Sequence, residues 1–300
     1  MWFKNLTLFK FIEPFSPSDA MAARLERFAF QPCPSHQPSV AGWTPPLGRK
    51  AVDLVHTVAG KALVCLRTEE KILPASALNQ AVSERVAVIE DQRQRPVRRR
   101  EKLELREQLI HELLPRALSR SRLGHAYLDP AGRRLVVDSA SPRGVEEITG
   151  YLRKTFDTLP IAPLKVQQSV TAVMTAWLGQ GQAPADFSFG DSCELRELGE
   201  SGGVVRCRGQ DLTGDEIGAH LAAGKQVARL GLIWNQRVAF VLDETLTLRR
   251  LRFLDVVRES LGDDATGSAE AVFDAEFALM TAELDGLIPR LLSVFGGETT

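Results

Sequence analysis

Cysteine is scarce in this chain: four in 300 residues (Cys33, Cys65, Cys193 and Cys207), with no C-x-x-C pair. That excludes a disulfide framework and predicts reduced thiols, as in a cytoplasmic protein. A zinc site from Cys193, Cys207 and His220 would lack the usual ligand spacing. No apolar run is long enough to span a membrane. The opening MWFKNLTLFKFI is broken by Lys4, Asn5 and Lys10 and is followed by no small-residue cleavage site, so no signal peptide is expected. Aromatics make up only 7% of the chain, too few to suggest the stacking platforms of single-strand binders. Catalytic signatures are missing as well: there is no G-x-S-x-G, Walker loop, Rossmann glycine pattern or H-E-x-x-H. Net charge is nearly absent too, at −1, so the whole molecule exerts no pull on a polyanion.

What the chain does have is segregated charge. RQRPVRRREK (93–102) packs six basic side chains into ten residues. From Arg93 to Arg122 nine Arg and one Lys face four Glu, a local +6, which leaves −7 for the rest of the chain. The excess is nearly all arginine, whose planar fork suits phosphate. It continues as Arg116, Arg120 and Arg122, where acids have disappeared. Arg206 and Arg208 share a face if their segment is a strand, and Arg249, Arg250 and Arg252 form a lesser patch. A basic run can also coat a solvated helix, with Glu101, Glu104 and Glu107 pairing to arginines at helical spacing.

Periodicity predicts an α+β protein with mixed or antiparallel sheets. The N-terminal segment reads as a strand, and Ser18–Phe30 as a helix capped by Ser18 or Asp19. Five prolines in residues 31–50 point to a loop without continuous secondary structure. Ala62–Arg67 reads as a strand. A helical pattern spans Ser76–Leu114, broken or kinked at Pro96. HAYLDPAGRRLVVDSA predicts a hairpin, Ser141–Thr155 a helix, and TLPIAPLKV a domain boundary. Further on, Ser169–Trp177 is a short helix, GGVVRCRGQDL supplies a strand, and Thr213 with Glu216 has capping-box spacing for a helix over Leu212–Ala223. QVARLGLIW, RVAFVLDE and TLTLRRLRF form a meander. The last helix carries Phe273, Phe277, Met280, Leu284, Leu287, Leu291 and Phe295 as a stripe fit for a core or a subunit interface.

Carboxylates gather at Asp186/Asp191/Glu194, Asp211/Asp215/Glu216 and Asp243/Glu244, where a metal-dependent nuclease would want them. Turn and cap positions account for them without a metal. His36 and His111 have no sequence-visible partner.

MWFKNL, AFQPC, GWTPPLG, EEKILP, LLPRALSR, GGVVRCRGQDLT, GKQVARLGLIW, LTLRRLRF and FDAEFALMTAEL follow one another along the chain. In that order they resemble the bacterial recombination-associated RdgC family over nearly the full length. The resemblance implies a non-enzymatic nucleoid protein that binds duplex DNA without sequence preference, single-stranded DNA being a second form. It implies a ring-shaped homodimer around the DNA, restraint of RecA, no cofactor and no metal, and no membrane. The implied organisation is a central α+β domain (1–72 and 123–158), a protruding helical arm (73–122) and a base domain (163–300) with the main dimer interface at Phe273, Phe277, Met280 and Leu284. DNA contacts fall to Arg93, Arg95, Arg98, Arg99, Arg100, Arg116, Arg120, Arg122, Arg206 and Arg208, with Arg116 and Arg120 near the arm's tip. A small gate is expected at Leu118 and Gln210. Family members can carry an aromatic at the Leu118 position and a basic residue at Gly209, so this gate differs. The rival readings are a metal-dependent nuclease and an adaptor whose arginine arm binds an acidic protein.

Overall fold

In the computed structural model, which describes residues 1–15, 20–48, 50–197, 199, 202–261 and 268–299, the chain builds two antiparallel sheets in succession. The first half runs β1 (Thr7–Phe11), α1 (Ala20–Glu26), β2 (Ser39–Thr44), β3 (Val55–Val58), β4 (Lys61–Lys71), α2 (Ala75–Arg93), α3 (Arg99–Leu113), β5 (Ser119–Asp129), β6 (Arg134–Val137), α4 (Pro142–Phe156) and β7 (Ile161–Pro163). Its strands lie in the order β2-β4-β5-β6-β1-β7, with β3 also paired to β4. The first half of β4 is almost unbroken apolar sequence because both of its faces are covered. Val64 and Leu66 pack on Ile148 and Leu152 of α4, while Leu63 and Tyr127 point the other way, into a core shared with the C-terminal half.

That half supplies α5 (Val170–Gln180), β8 (Phe187–Arg196), β9 (Val204–Arg208), α6 (Asp215–Ala222), β10 (Gln226–Trp234), β11 (Val238–Asp243), β12 (Leu248–Phe253), α7 (Asp255–Arg258) and α8 (Ala269–Val294). The second sheet has the order β12-β11-β10-β8-β9, so the expected meander is present. Its inner face, including Leu230, Leu232 and Phe240, packs on Met174 of α5 and on Leu284 and Leu287 of α8. Helix α8 also reaches the first sheet, where the Phe277 and Tyr127 rings meet edge to face at 5.9 Å. Backbone hydrogen bonds between Leu6 and Leu248, and from Leu251 N–H to the Lys4 carbonyl, tie the N-terminal segment to β12.

Four expectations need correction. The proline-rich stretch contains β2, because Ser39–Thr44 is free of proline and pairs with β4 from Ser39↔Glu70 to Thr44↔Cys65. Thr213 does not cap α6: its N–H and hydroxyl both donate to Asp211 Oδ1, and the helix begins after Gly214. Phe277, Met280 and Leu284 are completely enclosed by this chain's own core and offer no surface to a second copy; Phe273 packs beside His56. The fourth concerns Arg116 and Arg120 and follows from the helical hairpin below. The proposed caps Ser18 and Asp19 lie outside the described residues.

Candidate nucleic-acid interface

The basic run sits on a helical hairpin. α2 and α3 pack through a small apolar cluster centred on Leu78, Val82 and Leu109. Cross-links reinforce it: Arg106 donates to Asn79 Oδ1 at 2.6 Å, and Arg85 pairs with Glu112 at 3.2 Å. Pro96 lies in the turn between two separate helices, where its missing N–H costs nothing. Gln94 takes a left-handed conformation at φ 48°, and the Val97 N–H donates to Glu90 at 2.8 Å.

Glu101 organises this turn. It accepts two hydrogen bonds from Arg95, at 3.0 and 2.6 Å, and one from the Arg98 N–H at 3.0 Å, and Arg93 lies 3.6 Å away. The Arg95 hydrogen bonds, with help from the Arg98 N–H, hold its carboxyl down at about 2. Arg100 pairs with Glu104 at 3.2 Å, one turn along. Arg98 and Arg99 have no carboxylate partner among the described residues, so the tip retains free positive charge.

Leu114–Arg116 forms a 3-10 turn that feeds directly into β5, whose Ser119 pairs with Lys71 at the end of β4. Arg116 and Arg120 therefore lie at the hairpin's root, and its tip is Gln94–Arg98. Arg120 is paired with Glu70, and Arg122 with Glu147 at 2.7 Å. The Arg120 hydrogen bond pulls the Glu70 carboxyl below its ordinary value. Arg116 is exposed and has no carboxylate partner among the described residues. Leu118 is 79% exposed, and its carbonyl accepts the Ile72 N–H at 2.7 Å.

A second concentration of arginine lies on the outer face of the second sheet. Register places Arg206 of β9 opposite Glu194 of β8, and Glu194 opposite Arg229 of β10. The Glu194 side chain is only 6% exposed and takes three guanidiniums: Arg206 at 2.9 Å, Arg229 at 3.1 Å and Arg196 at 3.2 Å. Burial pushes this carboxyl up, but the three cations outweigh it and leave it below the usual glutamate range. Next to it, Arg249 donates to buried Asp243 at 2.7 Å. Here too burial raises the carboxyl, and the Thr245, Thr247 and Arg249 hydrogen bonds bring it lower than normal. Arg206, Arg208, Arg229, Arg249 and Arg250 line a groove of about 240 Å³ whose lining holds one carboxylate, Glu194. Each anchored guanidinium spends one or two of its five donors inward, leaving the rest for an anion.

The structure thus unites the expected contacts Arg206 and Arg208 with Arg249, read from sequence only as part of a lesser patch. It joins to them Arg229 and Arg196, which the sequence did not single out. One lone charge was the available signal: Arg229 in QVARLGLIW is the single charged residue of an otherwise strand-like, largely apolar run. Gln210 is exposed just beyond β9. Gly209 precedes it at φ +66°, a conformation a lysine or arginine adopts only with strain.

Five of the eight candidate metal carboxylates, Asp186, Glu194, Asp211, Asp243 and Glu244, are engaged elsewhere. Asp186 takes Arg290 through two hydrogen bonds of 2.8 Å, Glu244 pairs with Arg196 at 3.3 Å, and Asp211 binds Thr213. Among the described residues no three His, Cys, Asp or Glu side chains gather as a metal site. Cys193 and Cys207 face each other across β8 and β9, and burial pushes the Cys193 thiol up to about 12. No helix of the described residues is long and apolar enough to cross a membrane.

Residues 1–298 match the family model described as "Putative exonuclease, RdgC". The chain belongs to the RdgC family. Recombination-associated protein RdgC of Aeromonas hydrophila is 41% identical over 99% of both chains. The RdgC proteins of Psychromonas ingrahamii and Sodalis glossinidius are each 40% identical, covering 99% of this chain and 99% and 98% of theirs. Those relatives' names associate them with recombination.

Proposed function

We propose that this protein binds duplex DNA without reading its sequence, encloses it as a ring-shaped homodimer in the nucleoid, and thereby modulates RecA-dependent recombination and replication. The observation that carries this reading is the arginine face of the second sheet. Three guanidiniums around one buried glutamate, with Arg208, Arg249 and Arg250 beside them, make a preorganised cationic surface. Such a surface grips phosphate and carries no base-edge code. The helical hairpin acts as an arm and adds Arg98 and Arg99 at its tip and Arg116 at its root. In this reading Leu118 and Gln210, both exposed, form a small gate between copies. Single-stranded DNA shares the phosphate backbone and is a second ligand form. Binding is the whole activity in this reading, with no cofactor.

The test compares retention on closed circular and linear duplex of one sequence at moderate salt. A closed ring persists on circles and slips from free ends; equal loss from both refutes encirclement. Incubating the protein with plasmid and Mg²⁺ in parallel checks the binding-only part, since nicking would establish a nuclease.

A further inference from the structure

A second, larger groove lies on the same outer sheet face, between the N-terminal segment and the strands β8, β10, β11 and β12, and encloses about 930 Å³. Its floor is apolar and low. Gly190 and Gly231 sit side by side on neighbouring strands, and a Cβ on Gly231 would stand 3.0 Å from the Ser192 carbonyl. Ile233, Ala239 and Val241 complete the floor. Trp2 forms one wall, packed on Phe253 at 4.7 Å between ring centres.

The rim is cationic. Lys4, Arg250, Arg252 and Arg258 line it against the single carboxylate of Asp191. None of these four cations forms an ion pair with another described residue, in contrast to Arg95, Arg120 and Arg206. Arg250 is also held in a left-handed backbone conformation, φ 53°, where a register shift between β11 and β12 interrupts the ladder. Non-glycine strain of this kind persists where the surroundings enforce it, and it collects at binding sites. Here it accompanies an exposed guanidinium on the lining of both grooves.

An apolar floor is of no use to a phosphate backbone. It suits apolar side chains, and four unpaired cations around it suit carboxylates. We propose that this groove docks an acidic, amphipathic peptide segment of another protein, its apolar side chains on Gly231, Ile233 and Val241 and its carboxylates on Arg252, Arg258 and Lys4. The docking site adjoins the arginine groove and shares Ser192, Val241 and Arg250 with it, but the cations assigned to the peptide, Lys4, Arg252 and Arg258, are separate from the Glu194-anchored arginines.

The probe is a synthetic amphipathic peptide of Glu and Leu, titrated into the full-length protein by calorimetry. Its comparators are an all-Glu peptide, a version with Gln for every Glu, and a short duplex. The amphipathic peptide should bind ~tenfold tighter than either control peptide. Arg252→Glu with Arg258→Glu should remove that preference while thermal melting and duplex affinity stay unchanged. Ile233→Gln, a milder floor variant, should weaken the amphipathic peptide and not the all-Glu one. Equal binding of the amphipathic and all-Glu peptides overturns the proposal, as does loss of duplex rather than peptide binding in the double variant. Self-association that the double variant abolishes, without peptide binding, assigns the groove to a second copy and also overturns it.

Discussion

The Arg95 guanidinium grips both carboxylate oxygens of Glu101 across the turn joining α2 to α3. A single acid thus restrains the hairpin tip and neutralises part of the charge that distinguishes it.

Replacing Glu101 by Gln should therefore release Arg93 and Arg95 and strengthen duplex binding severalfold at low salt. The log K against log salt plot should steepen by about one. Anisotropy titrations across a salt series measure both. The Glu101 carboxyl is held at about 2 against an ordinary 4.5, so its folded value is depressed. Its contribution to the turn is complete above 4.5 and fades as pH falls toward 2; between pH 5 and 8 the tip should not change.

If the groove arginines hold phosphate, Arg206→Glu with Arg229→Glu should weaken every duplex alike. With about six phosphates neutralised, the native protein should show a salt slope on the order of −5, and the variant a slope shallower by about two. Sequence-dependent loss would show that these side chains read bases.

Glu194→Ala should destabilise the fold by about 1–2 kcal/mol in chemical denaturation. Breaking a fully buried pair costs more, but the arginine partners here are 39–62% exposed and water screens them. The depressed Glu194 carboxyl contributes fully above the ordinary glutamate range and loses that contribution as pH drops beneath it.

Leu284→Ala should cost about 2–5 kcal/mol, because the side chain is wholly enclosed. The loss should appear as a drop in melting temperature relative to the native protein that is the same at every protein concentration. A variant that changed only self-association would return this stripe to an interface.

The elements were readable where their pattern is local. The break at Pro96, the hairpin around Pro-Ala-Gly and the three-stranded meander all follow from short-range periodicity and turn chemistry. β2 was hidden because its six residues sit between prolines that bracket the strand without interrupting it. The arginine pair at 206 and 208 was visible from alternation alone. Its union with Arg229 around Glu194 was not, because the β8–β10 register joins residues 35 apart in sequence. The hairpin's polarity was misread for a similar reason. Only the Lys71↔Ser119 pairing fixes LLPRALSR at the root.

The bond between Leu6 and Leu248 also bears on how the chain is made. The N-terminal segment leaves the ribosome well before its partner strand, which follows about 240 residues later. At synthesis rates of roughly 5–20 residues per second, that wait is on the order of 12–50 s. Phe3 and Leu6, both buried in the finished core, must spend it without their C-terminal partners. Completion of this molecule is therefore a late event in translation, and a chain truncated before β12 would keep an apolar N-terminus for chaperones and proteases to find.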